Sequence, residues 1–214
     1  MSTARHPTPP LTVANINIER SKHLPQVMSF LARIAADVVC LQELIVDDLF
    51  KLSRSLGYAH HAYVPMALHP GDGLIRPFGI GILSRIPILR SESIPYAGLG
   101  SGRELVDLSS ADSKVRTSRY FVVLATVALA DARFTIGNTH FPWTPDGSAS
   151  DDQREACDRL IGLLGERPVV LCGDFNAPRG ARSSRGWPHI GATTSRRDIP
   201  AASILTYTAP GASR

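Results

Sequence analysis

Residues 168–180 decide the fold of this chain, and they read Pro-Val-Val-Leu-Cys-Gly-Asp-Phe-Asn-Ala-Pro-Arg-Gly. Residues 168–172 are apolar and rich in β-branched side chains, which predicts a buried strand that ends at Gly173. Asp174 and Asn176 follow two residues apart, so their side chains can point the same way. At this end of a strand, where α/β proteins place their chemistry, an acid and an amide can orient water beside a phosphate or a metal. A turn rich in Asp and Asn explains this stretch equally well when it is taken alone.

The composition is that of a single globular domain. The chain has 214 residues, of which 43% are hydrophobic, and no apolar run reaches membrane-spanning length. Residues 1–10 are polar and rich in proline, which predicts a disordered tail and not a signal peptide. The cysteine number is odd and Cys40 and Cys172 lie in apolar runs, so we expect buried, reduced thiols in a cytoplasmic protein.

The net charge of +4 comes from one end of the chain. Residues 181–214 contain five arginines and a single acidic residue, Asp198, and so account for all of it. The first 180 residues are neutral overall. The basic balance therefore gives little support for nucleic-acid binding by the domain, although a nucleic acid stays among the candidate partners.

Strand and helix patterns alternate along residues 11–180. The predicted strands are 11–17, 37–42, 62–66, 78–83, 88–93, 119–129, 133–140 and 168–172, and the predicted helices are 21–36, 46–56 and 151–164. Residues 69–77 contain glycine and proline and predict a loop, whereas residues 78–83 and 88–93 look like paired strands. Hairpins and crossovers are mixed, so we expect both parallel and antiparallel pairing.

Five polar residues each follow a strand-like run, namely Asn17, Glu43, His140, Asp174 and Asn176. Singly, each has a structural explanation: Glu43 could cap the next helix, His140 could be a satisfied core histidine, and Asn17 could belong to a turn. Together they form an oxygen-rich set with carboxylates at Glu43 and Asp174, which suits a hard cation such as Mg²⁺. Zinc is not expected, because no Cys/His cluster has the spacing of zinc ligands.

Five short motifs follow one another in a definite order. They are Asn17-Ile18, Leu41-Gln42-Glu43, Gly-Ile-Gly-Ile-Leu-Ser-Arg at residues 79–85, Asn138-Thr139-His140-Phe141 and Gly173-Asp174-Phe175-Asn176. This order resembles the endonuclease/exonuclease/phosphatase superfamily, which includes pancreatic-type DNases, abasic-site endonucleases, sphingomyelinases and inositol-phosphate phosphatases. Each motif is weak alone, but five in the family's order over residues 11–180 are a specific indication.

The resemblance implies an α/β fold of the DNase I type, a two-sheet sandwich with flanking helices and its site at one end. Glu43 would bind Mg²⁺, with Mn²⁺ as the alternative ion, and Asn17 would help to hold the metal or the phosphate. Asp174 would orient or deprotonate the attacking water. Asn176 would position the phosphate, and His140 would donate a hydrogen bond to it. The implied reaction is metal-assisted hydrolysis of a phosphate ester.

Three positions bear on how far the resemblance extends. Arg119 stands where some family members carry a phosphate-contacting arginine, and a solvated arginine at a strand end is the alternative. Abasic endonucleases carry a tyrosine just before the motif at 79–85, whereas Pro77 and Phe78 stand here, which argues against DNA repair. The family's final Asp-containing strand and its Ser-Asp-His motif find no match after Gly180. We therefore expect the domain to be incomplete at its C-terminus and its hydrolytic activity to be weakened. One alternative is a catalytically dead remnant that binds phosphate or a partner. The other alternative is a nucleic-acid-binding module.

Residues 181–214 predict an irregular tail, because Ser, Arg, Ala, Thr, Pro and Gly dominate and no strand or helix period survives. An out-of-frame reading of a longer family gene would explain the change. The segment can be back-translated, and a new codon can then be read from the third base of each codon. In this frame residues 191–195 can encode Arg-Asp-Asn-Ile-Pro. Other stretches read in the same frame resemble the continuation of the sequence in bacterial family members. The tail should then be mobile and protease-sensitive, and the sheet that awaits the missing strands should keep an open edge.

Overall fold

A computed structural model of the chain describes residues 10–71, 73–144 and 150–176, together with the backbone of Ala202–Tyr207. Of the tail predicted at residues 1–10, residues 1–9 lie outside this part of the chain. So does most of the segment that follows Gly180. The helices are α1 (Leu24–Ile34), α2 (Val46–Leu56), α3 (Ala111–Thr117) and α4 (Asp151–Leu164). The strands are β1 (Leu11–Asn17), β2 (Val38–Ile45), β3 (His60–Gly71), β4 (Leu74–Ser84), β5 (Ile88–Ala97), β6 (Tyr120–Leu129), β7 (Ala132–His140), β8 (Val169–Asp174) and β9 (Ala202–Tyr207).

The strands form two sheets, as the resemblance predicted. Sheet A has the order β3-β4-β2-β1-β9, and sheet B has the order β5-β6-β7-β8. β1 is parallel to β2 and β9, and β7 is parallel to β8, whereas the remaining neighbours are antiparallel. The α/β class and the mixed strand pairing are therefore confirmed. Among the described residues no helix has the length and apolarity to cross a membrane.

The sheets pack face to face because alternate side chains of each strand are apolar. Val13 of β1 and Cys40 of β2 belong to the same buried cluster as Ile136 of β7 and Cys172 of β8. The intervening residues of sheet A, such as Ile16, pack on the other side against α1 and α2. The three cysteines are buried and unpaired, as expected. The core thus holds the two sheets at a fixed separation, and the ends of their strands form a shared edge.

Residues 69–77, predicted as a loop, form a β-hairpin instead. His69 pairs with Arg76 and Pro70 pairs with Ile75, so β3 and β4 extend almost to the tip. Proline is tolerated at position 70 because β3 is the edge strand of sheet A. The glycine and proline content of this stretch therefore marked an edge hairpin.

The predicted pairing of residues 78–83 with residues 88–93 is wrong. β4 pairs with β2 and β3 in sheet A, whereas β5 pairs with β6 in sheet B. The residues between them carry the chain from one sheet to the other, and the Arg85 N–H donates a hydrogen bond to Asp37 O at 2.9 Å. Two apolar runs around a short turn look alike in a hairpin and in such a crossing, so the local sequence does not distinguish them.

β9 lies within the segment that was predicted to be irregular. It pairs in parallel with β1, from Leu11 opposite Ala202 to Ile16 opposite Tyr207. β1 is therefore not an open edge, and the expectation of an open edge is wrong there. The out-of-frame explanation of the segment stays a prediction.

Candidate active site

The carboxyl ends of β1, β7 and β8 meet at one end of the sandwich. His140 ends β7 and Asp174 ends β8, and these two residues are register partners in the parallel pair. Asn17 ends β1, and its Nδ2 donates a hydrogen bond of 2.9 Å to Asp174 Oδ2. Because β1 belongs to sheet A and β8 to sheet B, this bond joins the two sheets at the site.

Glu43 lies inside β2 and not after it, which corrects its predicted position. The register of β2 against β4 shifts between Leu41 and Leu44, so Glu43 sits in a bulge, where its φ is +53°. A left-handed backbone costs a residue other than glycine about 1 kcal/mol or more, and a bulge re-aims the side chain it carries. The cap residue of α2 is Ile45 and makes no side-chain cap bond, so Glu43 is not a helix cap.

The Glu43 carboxylate is buried and has an oxygen without a hydrogen bond. Its Oε1 lies 4.0 Å from His140 Nε2, and its Oε2 lies 3.6 Å from Arg20 Nε. Within the described residues Oε2 accepts no hydrogen bond, although Glu43 is only 8% exposed. An incompletely paired buried carboxylate is unfavourable unless a cation joins it. This oxygen is therefore available to a ligand cation.

Asp174 is held in its charged form by its neighbours. Burial alone would raise the pKa of Asp174, but opposing influences bring it below the ordinary value. The largest of these is the attraction of a protonated His140 ring, which acts at acidic pH, where a carboxyl group titrates, and not at neutral pH. Hydrogen bonds from Asn17 and from the Asn176 N–H, the latter 3.0 Å from Oδ1, and the charge of Lys114 add to it. Asp174 is therefore a carboxylate at neutral pH.

His140 is a neutral imidazole in the folded protein. It is 2% exposed, and burial lowers its pKa. The Asp174 and Glu43 carboxylates oppose this shift, whereas the charges of Lys114 and Arg20 add to it. The 4.0 Å approach to Glu43 is therefore not an ion pair at neutral pH. His140 Nδ1 has no hydrogen-bond partner in the described part of the chain, so a ring nitrogen remains free for a ligand.

Asn176 closes a turn over the end of β8. Its backbone N–H bonds to Asp174 Oδ1, two residues earlier, and its φ is +49°. Its Nδ2 donates a hydrogen bond of 2.7 Å to Phe141 O, just beyond β7. The Asx turn weighed as a structural explanation is thus present, and it fixes the Asp174 carboxylate that the functional hypothesis requires.

Buried amides behind the site were not among the predicted site residues. Gln42 Nε2 donates hydrogen bonds of 2.9 Å to Asn15 Oδ1 and 2.7 Å to Asn138 Oδ1. Asn138 Nδ2 in turn donates to Leu41 O at 2.9 Å and to Gly81 O at 2.8 Å. The network joins the sheets and holds a carbonyl directly before the bulge in β2. The sequence did indicate this network, because Gln42 and Asn138 each place an amide inside an apolar strand, and a buried polar group needs hydrogen-bond partners.

Two cations near the site also lie outside the strand-end positions. Arg20 belongs to a short 3₁₀ turn, Glu19–Ser21, in which every residue has a positive φ. Lys114 lies on α3, and its charge shifts the pKa of both His140 and Asp174. Lys114 does not follow a strand in the sequence, and Arg20 lies in the turn beyond the end of β1, so the strand-end positions alone did not reveal them.

Arg119 has a different set of neighbours from the other predicted residues. Its Nη1 donates a hydrogen bond of 2.9 Å to Gly98 O, and it lines a pocket together with Arg159 and Leu163. The other five predicted site residues do not line this pocket. The structure thus brings together Asn17, Glu43, His140, Asp174 and Asn176.

The oxygen donors of the site fit a hard divalent cation that is held by few protein ligands. Among the described residues there is no group of three or more His, Cys, Asp and Glu side chains that could hold a metal ion. Glu43 offers its Oε2, which accepts no hydrogen bond from the described residues and lies 3.6 Å from Arg20 Nε, and Asn17 offers Oδ1, which also accepts a hydrogen bond of 3.0 Å from the Glu19 N–H. Mg²⁺ commonly binds through one or two carboxylates and keeps several waters. The residues present therefore fit such an ion.

The family profile of the Endonuclease/Exonuclease/phosphatase family matches residues 14–213. The chain belongs to the endonuclease/exonuclease/phosphatase family. The match includes every motif on which the resemblance was based, and it extends through β9. No curated protein sequence matches the chain.

Solved structures share the family fold with this chain. An endonuclease/exonuclease/phosphatase from Beutenbergia cavernae DSM 12333 has a TM-score of 0.59 and 20% identity, over 77% of this chain and 47% of that chain. The human Nocturnin catalytic domain with bound sulfate anion has a TM-score of 0.55 and 20% identity, over 79% and 65%. Sphingomyelinase C from Streptomyces griseocarneus has a TM-score of 0.52 and 18% identity, over 82% and 67%. The matched region thus spans from about half to two thirds of these structures.

Proposed function

We propose that this chain is a metal-dependent hydrolase of phosphate esters, of the phosphodiesterase, nuclease or phosphatase type. The observation that carries the proposal is the half-buried Asp174 carboxylate, held by Asn17 and Asn176 beside the imidazole of His140, which is neutral at neutral pH. Family membership supports the same class, and one structural neighbour is a sphingomyelinase. The three buried free cysteines favour a reducing compartment, so we propose a cytoplasmic location.

Asp174 orients and deprotonates the attacking water. Each of its oxygens accepts one hydrogen bond, from Asn17 and from the Asn176 N–H, and each keeps a lone pair for a water molecule. A lowered pKa keeps the carboxylate ionised at neutral pH, so that it can accept a hydrogen bond from water, and two fixed donors hold its orientation. Asn176 positions the phosphate with the second N–H of its side-chain amide, because the first is bonded to Phe141 O.

His140 donates a hydrogen bond to a phosphate oxygen through the N–H of its neutral ring. Glu43, with Asn17, holds a divalent cation, for which Mg²⁺ is the expected ion and Mn²⁺ the alternative. When bound, the cation supplies electrostatic stabilisation of the charge that develops on the phosphoryl group. The role of Arg119 as a phosphate contact rests on the sequence resemblance alone.

A second candidate function is phosphate binding without turnover. The observation that favours it is the sequence after Gly180, which contains no Ser-Asp-His motif. In a catalytic set, the loss of a single member removes most of the rate advantage, so hydrolysis would be very weak even with the cation bound. Binding of nucleic acid without turnover is less favoured, because the charge of the first 180 residues is balanced.

Hydrolysis of bis(4-nitrophenyl) phosphate and 4-nitrophenyl phosphate tests the proposal. We expect turnover with Mg²⁺ that EDTA abolishes and that Asp174→Asn lowers about 100-fold, the size of a general-base contribution. Asp112→Asn is the matched control, because Asp112 is exposed and paired with Arg116 on the surface of α3. Turnover that survives EDTA or Asp174→Asn would contradict the proposal, and phosphate binding with no turnover would favour the second candidate.

A further inference from the structure

We propose that Arg20 is a phosphate-binding residue of the site, which exchanges the Glu43 carboxylate for the substrate phosphate when a divalent cation binds Glu43. Arg20 stands outside the five motifs, in the short turn Glu19–Ser21 that follows β1. The inference rests on the proposed function and deepens it, because it adds a charged phosphate ligand whose availability depends on the cation.

The turn that carries Arg20 is anchored on both sides. The Ile18 N–H donates a hydrogen bond of 3.1 Å to the carbonyl of Gln42, the residue directly before the proposed cation ligand. The Ser21 hydroxyl donates a hydrogen bond to the Asp48 carboxylate on α2. All three residues of the turn have a positive φ, a backbone conformation that persists in residues other than glycine only where the surrounding structure enforces it. The base of the Arg20 side chain is therefore fixed beside the site.

The guanidinium of Arg20 lies close to Glu43 without a hydrogen bond to it. Arg20 Nε is 3.6 Å from Glu43 Oε2, which is longer than an N–H···O hydrogen bond. The Arg20 side chain is 35% exposed and the Glu43 side chain 11%, so the guanidinium stands on the solvent side of the pair. Within the described residues Glu43 is its ionic partner, and its N–H donors form no hydrogen bond. Arg20 thus neutralises the carboxylate in part and keeps its donors unused.

Arg20 and the proposed cation address the same oxygen atom. Oε2 is the Glu43 oxygen that accepts no hydrogen bond from the described residues, and it is also the oxygen that Arg20 approaches. Two positive charges at one oxygen repel each other, so the guanidinium turns away from Glu43 when the cation binds there. The long side chain can make this movement by rotation about its own bonds, while the anchored backbone stays in place. Arg20 then carries its full charge without a carboxylate partner.

A phosphate group fits the released guanidinium in charge and in position. Arg20 and His140 flank the same carboxylate, because His140 Nε2 lies 4.0 Å from Oε1, the other oxygen of Glu43. An anion that accepts a hydrogen bond from His140 is therefore close to the Arg20 side chain. A guanidinium can bind two phosphate oxygens through parallel, charge-assisted hydrogen bonds, whereas the neutral His140 ring supplies a donor without a charge.

Calorimetric titration with Mg²⁺ tests the exchange at Glu43. Arg20→Gln should tighten Mg²⁺ binding about tenfold, because it removes a competing unit charge and keeps a long polar side chain. Arg20→Lys keeps the charge and should bind Mg²⁺ as wild type does. Lys22→Gln is the matched control and should leave the affinity unchanged, since Lys22 is 62% exposed and its partner, 3.2 Å away, is Glu19. Equal Mg²⁺ affinities in wild type and Arg20→Gln would overturn the inference.

Binding of inorganic phosphate, measured at a Mg²⁺ concentration that saturates each protein, tests the new partner of Arg20. Arg20→Gln should weaken phosphate binding about tenfold, the worth of one hydrogen bond to a charged group, and Lys22→Gln should not. Tighter Mg²⁺ binding together with weaker phosphate binding is a result that a merely structural role of Arg20 would not give. Unchanged phosphate affinity in Arg20→Gln would overturn the inference, and so would a joint loss of Mg²⁺ and phosphate binding.

Failure of the proposed function would look different from failure of this inference. Arg20→Gln would still shift the affinities for Mg²⁺ and phosphate in opposite directions, but the wild-type chain would hydrolyse no phosphate ester.

Discussion

Glu43 joins two unfavourable features at one residue. Its backbone is left-handed inside a strand, and its carboxylate is buried with an oxygen that accepts no hydrogen bond from the described chain. Strained backbone and incompletely paired charge are maintained in folded proteins where the surrounding structure compensates for them, and they cluster at functional sites. Asn138 supplies part of that compensation, because it holds the Leu41 carbonyl just before the bulge.

At the same scale, His140 should make stability depend on pH. Its pKa in the folded state lies below the ordinary 6.5, so between these values the unfolded chain binds a proton that the folded chain does not. The free energy of unfolding should therefore fall as the pH is lowered below about 6.5. Asp174, whose folded-state pKa lies below 3.8, adds a further loss as the pH falls below that value.

Urea unfolding of wild type and His140→Asn between pH 8 and pH 5 measures the first effect. The variant should show a flatter dependence of the unfolding free energy on pH. His61→Asn is the matched control, because His61 is exposed on β3, and it should keep the wild-type slope. An unchanged slope in His140→Asn would show that His140 takes up a proton in the folded state as readily as in the unfolded state.

At the scale of elements, the bulge in β2 depends on the strand that packs across from it. Asn138→Leu should lower the free energy of unfolding by about 3 kcal/mol, because the Leu41 and Gly81 carbonyls and Gln42 Nε2 all lose a buried partner. Thr126→Val in the same sheet is the control. It removes one half-buried hydroxyl contact and should change the free energy of unfolding by about 0.5 kcal/mol. Chemical denaturation measures both, and a cost for Asn138→Leu no larger than the control's would contradict this role.

Elements with strong internal patterns were predictable from the sequence. α2 and α4 occupy the predicted residues 46–56 and 151–164, and α4 begins with a capping box between Ser150 and Gln153. Pairing between distant strands was not predictable, because the β3–β4 hairpin and the crossing from β4 to β5 both consist of two strand-like runs around a short segment that contains proline. The candidate site residues Asn17, His140, Asp174 and Asn176 were brought together because the ends of strands meet at one edge, whereas Glu43 joins them from a bulge inside β2. Arg20 was missed because it reaches Glu43 from a turn, and Lys114, whose charge acts on the pKa of His140 and Asp174, was missed because it lies on a short helix.

At the scale of the whole molecule, Cys40 and Cys172 report on how the sheets pack. Cys40 lies on β2 and Cys172 on β8, and both are buried. Burial raises the pKa of Cys40 well above its ordinary value, and the adjacent Cys172 thiol raises it further. Contact between these two thiols therefore marks the interface between sheet A and sheet B.

Thiol labelling tests that packing. Both cysteines should resist a thiol-modifying reagent in the native protein and react in denaturant, because both thiols are buried out of reach of the reagent in the folded chain. Mass spectrometry of labelled peptides measures each cysteine separately, and the denatured protein is the control for reagent activity. Rapid labelling of both residues in the native protein would show that β2 and β8 are not placed as described.

The segment after Gly180 bears on how much of the family fold this chain contains. The family match extends to residue 213, and β9 covers one edge of β1. These findings limit the irregular tail that the sequence predicted, whereas the out-of-frame explanation remains a prediction that gene sequencing past the codon for Gly180 would test. The matched region spans no more than about two thirds of the structural neighbours described here.

The proposed cation site depends most on Glu43 as the residue that binds the cation. Calorimetric titration of wild type and Glu43→Gln with Mg²⁺ tests it directly, because glutamine preserves the size and the backbone preferences of the side chain while removing its charge. Asp47→Asn is the matched control, since Asp47 is exposed on α2 and paired with Arg76. The account predicts that Glu43→Gln weakens Mg²⁺ binding by about tenfold or more and that Asp47→Asn leaves it unchanged. Equal affinities in wild type and Glu43→Gln, or no binding by wild type, would contradict it.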